Sequence, residues 1–290
     1  MSKIIILTDS CCDLPKETIE ELGIKVLPFT LTVNGESFRE IYDKSTQEVY
    51  DLMAKTEEIP KHSQISPVTF EETYKELFEQ GYTDIISVSI NSQGSGTYNN
   101  SILAKNDFFE NNPEAKDKIR IYNIDSKCYT LFYGYPIIES AKKIRKGAGV
   151  EEIIAYLEDW FNVCGIYAVP YNLRYAKKSG RISAAKAFAG ELLGLKPVIL
   201  FADGTTDTVD KIRGEKNIVS KLTDIVEKNM TPQTPYIMLH GRDDTIAREI
   251  EKELVKRTGR KAEMYGNIGA VVSANIGADI VGIIVRRKNK

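Results

Sequence analysis

Short apolar runs alternate with segments of helical periodicity through the first half of the chain, and this alternation constrains the fold more than any other feature. Residues 3–8 form a continuous apolar run. Residues 15–22 open with Pro15 and early acidic side chains, as a helix start prefers, and Gly23 stops them. Residues 24–27 and 30–33 read as strands, with Asn34-Gly35 as a hairpin turn before Phe38. Residues 46–54 and 67–80 have helical spacing, 83–90 reads as a strand and 97–109 as a helix. A strand over 119–124 and a helix over 129–146 follow, closed by Gly147-Ala148-Gly149. Such alternation predicts a mostly parallel sheet covered by helices.

From residue 150 the pattern changes. A helix over 150–161, a strand over 163–169, a basic segment and a helix over 184–193 lead to a strand over 196–201. Ala202-Asp203-Gly204 is a tight turn, and 205–209 reads as the returning strand. Helices over 217–228 and 244–257 alternate with strands over 236–240, 261–266 and 280–285. The Asp-Gly hairpin and the shorter strands predict an α+β unit with antiparallel pairing. The expected fold is therefore α/β in two domains: residues 1–150 with a mostly parallel sheet, and 151–290 with antiparallel pairing. A chain of 290 residues is long enough for two cores.

In an open parallel sheet, ligands bind beyond the carboxyl ends of the strands. Three polar loops should gather there: Asp9-Ser10-Cys11-Cys12, Ser92-Gln93-Gly94-Ser95-Gly96-Thr97 and Asp125-Ser126-Lys127. The second joins a strand to a helix through a Gly-rich turn. Free N–H groups and the helix dipole would make an anion site there, which the Ser92 and Ser95 hydroxyls can join. It lacks the lysine of a Walker loop and the G-x-S-x-G spacing of a catalytic-serine elbow. The first loop invites a phosphatase reading, but Cys11 stands where a haloacid-type enzyme needs a second Asp, and no Arg follows as a cysteine phosphatase requires. Asp9 and Ser10 otherwise cap the next helix or brace a neighbouring loop. An enzyme acting on a small anionic substrate at Asp9, Ser95 and Asp125 is the alternative to passive anion binding.

A net charge of −2 provides no global basic field for nucleic acid. Four scattered cysteines and two histidines lack the spacing of a metal site, so neither metal nor cofactor is expected. The first apolar run is too short for a signal peptide, and none approaches the ~18 residues of a membrane span, which predicts a cytoplasmic protein. In Lys61-His62-Ser63-Gln64-Ile65-Ser66-Pro67, Ser66 suits an N-cap and Pro67 a first helical position, leaving His62, Ser63 and Gln64 unexplained. The basic run from Arg174 to Ser183 is either a solvated loop or a docking surface for an acidic partner or phosphate. The small residues of 268–278, with the single amide Asn275, allow close approach of a ligand or of a packed element.

These segments together resemble the DegV family of bacterial fatty-acid-binding proteins. The matches are Thr8-Asp9-Ser10 with Asp13-Leu14, Ser63-Gln64 with Ser66-Pro67, Ser95-Gly96-Thr97-Tyr98 and Asp125-Ser126. Lys177-Lys178-Ser179-Gly180-Arg181-Ile182-Ser183, Lys196-Pro197, Asp203-Gly204, Lys211-Ile212-Arg213-Gly214, His240-Gly241 and the 268–278 segment continue the order over almost the whole chain.

The resemblance implies a two-domain α/β protein that buries one long-chain fatty acid in an apolar tunnel. It implies a carrier, not an enzyme, which presents the acid to the catalytic subunit of a fatty acid kinase for conversion to acyl phosphate in phospholipid metabolism. A transient membrane-surface contact belongs to the same picture; nucleic acid does not. Carried over by position, the carboxylate meets Ser95, Ser92, His62, Ser63 and Asn275. The family usually has Thr at the position of His62 and His at that of Asn275, so His62 is expected to take over part of the missing histidine's role. Ile65 and Ala278 replace usual prolines. Phe29, Ile65, Ile166, Phe188 and Leu192 are the expected tunnel lining, and Arg213, Lys211, Arg174 and Arg181 the expected partner-docking face.

Overall fold

The computed structural model describes residues 2–56, 58–183 and 194–288. Its first half is built on a parallel sheet of β1 (Ile4–Asp9), β2 (Lys25–Leu27), β6 (Asp84–Ser89) and β7 (Arg120–Asp125), in the order β2-β1-β6-β7. The β1 sequence Ile-Ile-Ile-Leu-Thr-Asp is buried almost throughout, because helices cover both faces of such a sheet. Register pairs Thr8 with Val88 and Ser89 with Asp125, which brings the carboxyl ends of β1, β6 and β7 to one edge.

Helices α3 (Pro67–Glu79) and α4 (Thr97–Asn111) pack together through Tyr74, Phe78 and Phe108. Ser66 caps α3 by accepting Thr69 N–H at 3.2 Å, with Pro67 in the first turn as its sequence predicts. Helices α5 (Leu131–Arg145) and α6 (Val150–Val163) are tied by Trp160 Nε1, which donates to Phe132 O at 2.7 Å. The short α1 (Lys16–Leu22) ends at Gly23, whose φ of 68° is the left-handed conformation that glycine adopts without strain.

A small sheet of β3 (Thr30–Val33), β4 (Glu36–Arg39) and β5 (Lys61–Ser63) stands beside it, followed after β4 by α2 (Thr46–Ala54). Asn34 and Gly35 have φ of 51° and 80°, the pair of positive values that a type I′ hairpin needs. The sequence reading leaves 61–63 in a loop. Three residues with two polar side chains carry too little alternation to declare a strand, and pairing with β3 makes them one.

The second half forms six strands: β8 (Cys164–Pro170), β9 (Leu195–Ala202), β10 (Thr205–Arg213), β11 (Tyr236–His240), β12 (Met264–Asn267) and β13 (Ile280–Arg286). Their order is β10-β9-β8-β13-β11-β12, antiparallel except for β11 and β12. That parallel pair is joined by a helix, as parallel neighbours require.

Period-two alternation divides the residues of this sheet between two layers. Tyr167, Val169, Val281 and Ile283 pack with α8 (Ile218–Asn229) and α9 (Thr245–Thr258). Ile166, Ala168, Phe201, Leu239 and Ile280 belong instead to the core shared with the first half. Two short helices complete that side: α7 (Arg174–Ser179), and α10 (Ala270–Ile276), which the small-residue segment forms although its sequence announces only close packing.

Candidate functional site

Between the six-stranded sheet and the loops of the first half lies an apolar cavity. Ile166 and Ala168 of β8, Ile280 and Gly282 of β13, Phe201 and Leu239 form one wall. Each strand places residues i and i+2 on one face, so four of these positions follow from the alternation alone. Phe29, Ile90 and Tyr129 come from the first half, and Ile268, Val271, Val272 and Ile276 from α10 and its approach. The empty space amounts to about 690 Å³, a figure that includes the open solvent at its mouth.

The polar groups are concentrated at the mouth. His62, Gly94, Ser95 and Arg181 line both the cavity and a polar cleft outside it, which Ser63, Gln64, Ser92, Gln93 and Gly96 complete. These four residues are the threshold between apolar interior and wet exterior. Asn275 lines the cavity next to them and donates through Nδ2 to His62 Nε2 at 3.0 Å and to Val271 O at 2.8 Å. With Nε2 accepting, the imidazole proton of a neutral His62 sits on Nδ1. Burial, and then the charge of Arg181, holds His62 below the ordinary histidine value, against the hydrogen bond from Asn275. The ring meets Phe29 edge-on at 6.2 Å. Ser95 Oγ lies 3.0 Å from Thr97 Oγ1, and Arg181 Nε donates to Gly94 O at 3.2 Å.

The 92–97 turn differs from its sequence reading in one respect. Its backbone N–H groups are not free. Ser92 N–H donates to Asp125 Oδ1, Gln93 N–H to Asn91 Oδ1, and Gly94 and Ser95 N–H both to Asn91 O. Gly96 N–H donates to Gln64 Oε1 and Thr97 N–H to Ser95 Oγ. The turn therefore offers hydroxyls, not a nest of amides. Its glycines serve close approach: a Cβ on Gly94 would lie 2.4 Å from Tyr129 Oη, and one on Gly96 2.4 Å from Gln64 Oε1.

Asp9 and Asp125 are engaged in the same way. Asp9 is wholly enclosed and accepts Ile90 N–H at 2.8 Å, Cys11 N–H at 3.1 Å and Tyr133 Oη–H at 2.6 Å. Burial pushes its carboxyl up to about 6 against the pull of those bonds. Asp125 Oδ1 accepts Ser92 N–H at 3.1 Å and Lys127 N–H at 2.9 Å. Both brace the loops at the sheet edge, and neither lines the cavity or the outer cleft.

Of the residues named from sequence, the structure brings Ser95, His62, Asn275, Phe29 and Ile166 together at the cavity. Ser92 and Ser63 stand in the outer cleft only. Ile65 is buried and does not line this cavity, and its carbonyl accepts Asn100 Nδ2–H at 2.7 Å. Phe188 and Leu192 lie outside the described residues. Arg181 stands at the threshold itself, while Arg174, Lys211 and Arg213 are exposed and line neither space. Tyr129, Ile268 and Val271 escaped the sequence reading. The only signal was the small-residue run around the last two, which shows that something packs closely but not what. Among the described residues no group of three or more His, Cys, Asp and Glu side chains is placed to hold a metal, and no helix is long and apolar enough to cross a membrane.

Comparison with known proteins bears on this architecture. A DegV domain-containing protein of Clostridium perfringens is 28% identical over 98% of this chain and 99% of its own length. The crystal structure of a stearic-acid-binding protein from Eubacterium ventriosum superposes with a TM-score of 0.86 at 26% identity, covering 99% of each chain. That of DegV, a fatty acid binding protein from Bacillus subtilis, superposes with a TM-score of 0.82 at 26% identity, covering 98% of this chain and 99% of its own. The family profile described as "Uncharacterised protein, DegV family" matches residues 3–288, and the chain belongs to the DegV family.

Proposed function

We propose that this protein binds one long-chain fatty acid in the cavity between its two units, residues 1–150 and 151–290, with the carboxylate at the threshold. The observation that carries this reading is the division of the site: an apolar interior, and a mouth where Ser95, His62, Asn275 and Arg181 converge. A carboxylate would accept hydrogen bonds from the Ser95 hydroxyl and His62 Nδ1–H, while the Asn275 amide, whose two N–H groups go to His62 and Val271, fixes the ring. Ser63 and Ser92 in the outer cleft would meet it through water or hold a group that enters from outside. The binding of fatty acids named for the Eubacterium and Bacillus proteins supports the same reading.

The magnitudes place the affinity in the tail. About 15 buried methylenes at about 0.8 kcal/mol each give a gross gain of roughly 12 kcal/mol. Each hydrogen bond to the charged head adds only about 1.5–3 kcal/mol. The head groups orient the acid and the walls hold it.

In the carrier role the protein works in the cytoplasm and presents the carboxylate to a fatty acid kinase subunit, which makes the acyl phosphate. A brief membrane contact would exchange the acid. Exposed Arg213, Lys211 and Arg174 are the proposed docking face, where charge complementarity speeds encounter. Nothing in the site favours a reaction at Asp9, Ser95 and Asp125, since the two carboxylates brace loops. Native mass spectrometry of the purified protein tests the reading. A stoichiometric fatty acid, lost when Gly282 is enlarged, is the expected result. A protein that takes up no fatty acid from lipid vesicles overturns it.

A further inference from the structure

Behind the cavity wall two carboxyl groups hold the approach to α10. Glu40 is 2% exposed. Its Oε1 accepts Val271 N–H at 2.8 Å, and its Oε2 accepts the Ser10 hydroxyl at 2.6 Å. Ser10 Oγ in turn accepts Phe29 N–H at 3.0 Å. Asp13 Oδ2 accepts Gly269 N–H at 2.7 Å. Phe29 and Val271 both line the cavity, so one buried network ties together walls that come from opposite halves of the chain.

One atom of this network is unexplained. Asp13 is half-buried as a residue, yet its Oδ1 is enclosed and has no hydrogen-bond partner among the described residues. A methyl group on Gly269 would lie 2.1 Å from that oxygen and 3.1 Å from Glu40 Oε1. Two carboxyl oxygens therefore converge over one Cα, where only glycine leaves room for them. The titratable groups around the pair are Asp9, Cys11 and Cys12 on the first loop and Tyr50 on α2, and Tyr133 on α5 bonds to Asp9. His240 lines the cleft that Asp13 borders, and the charge of Arg242 is felt at Tyr50. Among the described residues no cation bonds to either carboxyl. Burial, and then the charge of Glu40, pushes Asp13 up, and burial pushes Glu40 up. Like charges so close cannot both ionise without cost.

We propose that Asp13 and Glu40 are positioning residues for the acyl site, a pair that shares one proton and in that state latches α10 into the cavity wall. The proton would sit on Asp13 Oδ1, the enclosed oxygen that has no hydrogen-bond partner among the described residues. It keeps Gly269 and Val271 in place and, through them, Val271, Val272 and Asn275 against the ligand. Both groups hold a proton better in the folded chain than in the unfolded one. The latch is therefore intact at low pH and is lost as pH rises through the folded-state values. This inference rests on the fatty-acid reading for its effect on ligand, though not for the latch itself.

The test compares wild type with Asp13→Asn, Asp13→Ala and Glu40→Gln. Each is loaded with the intrinsically fluorescent cis-parinaric acid, and its release to vesicles is timed from pH 6 to 9. An asparagine amide stands where the shared proton was, while its oxygen still accepts Gly269 N–H. The expected wild-type release accelerates with pH by up to about tenfold per unit, the slope of one linked proton. D13N and E40Q release slowly with a flatter profile, and D13A releases fast throughout. A D13N profile that keeps the full wild-type slope overturns the proposal, as does D13A release as slow as wild type at pH 6. If D13A fails to fold, D13N and E40Q still decide. Should wild type take up no parinaric acid at any pH, the carrier reading falls. Unfolding midpoints of the ligand-free proteins then judge the latch: it stands if D13N flattens their fall with rising pH, and fails if D13N follows wild type.

Discussion

The Asp9 loop and the 92–97 turn leave neighbouring parallel strands at the same sheet edge, and both carry serine beside a group able to bind an anion. They differ in what is left over after folding. Asp9 accepts three donors and Ser10 joins Phe29 to Glu40, so these side chains are satisfied largely by other parts of the chain and buried. The turn satisfies its backbone N–H groups just as fully, yet it leaves Ser95 half-buried at the cavity mouth beside His62 and Arg181. Polar composition is thus common to a brace and a binding site. The side chain with capacity remaining at a cavity marks the second.

The largest expected effect tests the brace. Asp9→Ala leaves Ile90 N–H, Cys11 N–H and Tyr133 Oη–H without their acceptor and should lower stability by about 3–5 kcal/mol in denaturant titration. A variant unfolding close to wild type would erase the contrast between the loops. Next comes pH. The Asp9 carboxyl is raised from 3.8 to about 6, so its contribution is fully present below the lower value and is lost as pH rises through the upper one. At about 1.4 kcal/mol per unit the loss is about 3 kcal/mol. The Asp13–Glu40 pair acts in the same direction, so the D13N protein is the one to titrate by thermal unfolding. A midpoint constant from pH 4 to 7 would remove Asp9 as a buried titrating brace.

Three predictions concern the other side of the comparison. A Cβ on Gly282 would meet Ala168, Ile166 and Leu239 at ordinary distances of 3.4–3.5 Å, but the rest of a leucine must enter the cavity. Gly282→Leu should displace three or four methylenes, about 3 kcal/mol or roughly 100-fold in affinity, read by fatty-acid displacement. Unchanged affinity would show that the acid lies elsewhere. Ser95→Ala should weaken binding by about 2 kcal/mol while moving the unfolding midpoint little, because its own bonds are local to Thr97. A large loss of stability instead would class Ser95 with Asp9. His62→Gln, which keeps a donor beside Asn275, should cost about 1 kcal/mol of affinity, and calorimetry at pH 7 measures it.

The architecture was largely legible. The alternation of residues 3–125 announced the parallel sheet, and Asn34-Gly35 and Asp203-Gly204 announced their hairpins, because two-residue turns with positive φ leave few residue types to choose from. β5 and α10 were not legible, since three residues in one case and a run of small side chains in the other have no period to read. At the site, Ser95 was marked locally by its Gly-rich turn, whereas the meeting of His62 with Asn275 has no local signal. His62 and Asn275 are 213 positions apart and meet only across the fold. Ile65 shows the converse, a residue apolar and close in sequence to the mouth that turns into the core.

By itself the sequence determined most of the element types, the strand faces and the absence of a Walker lysine or a nucleophile elbow, because each depends on residues near in the chain. Tertiary structure alone decided which polar groups remain available. Whether an aspartate braces or binds depends on how many donors reach it from other elements. Ile90 and Tyr133 come to Asp9 from 81 and 124 positions away, and Gly269 reaches Asp13 from 256. Hydrogen bonds saturate, so the function of a polar residue is set by what other parts of the chain have already taken from it.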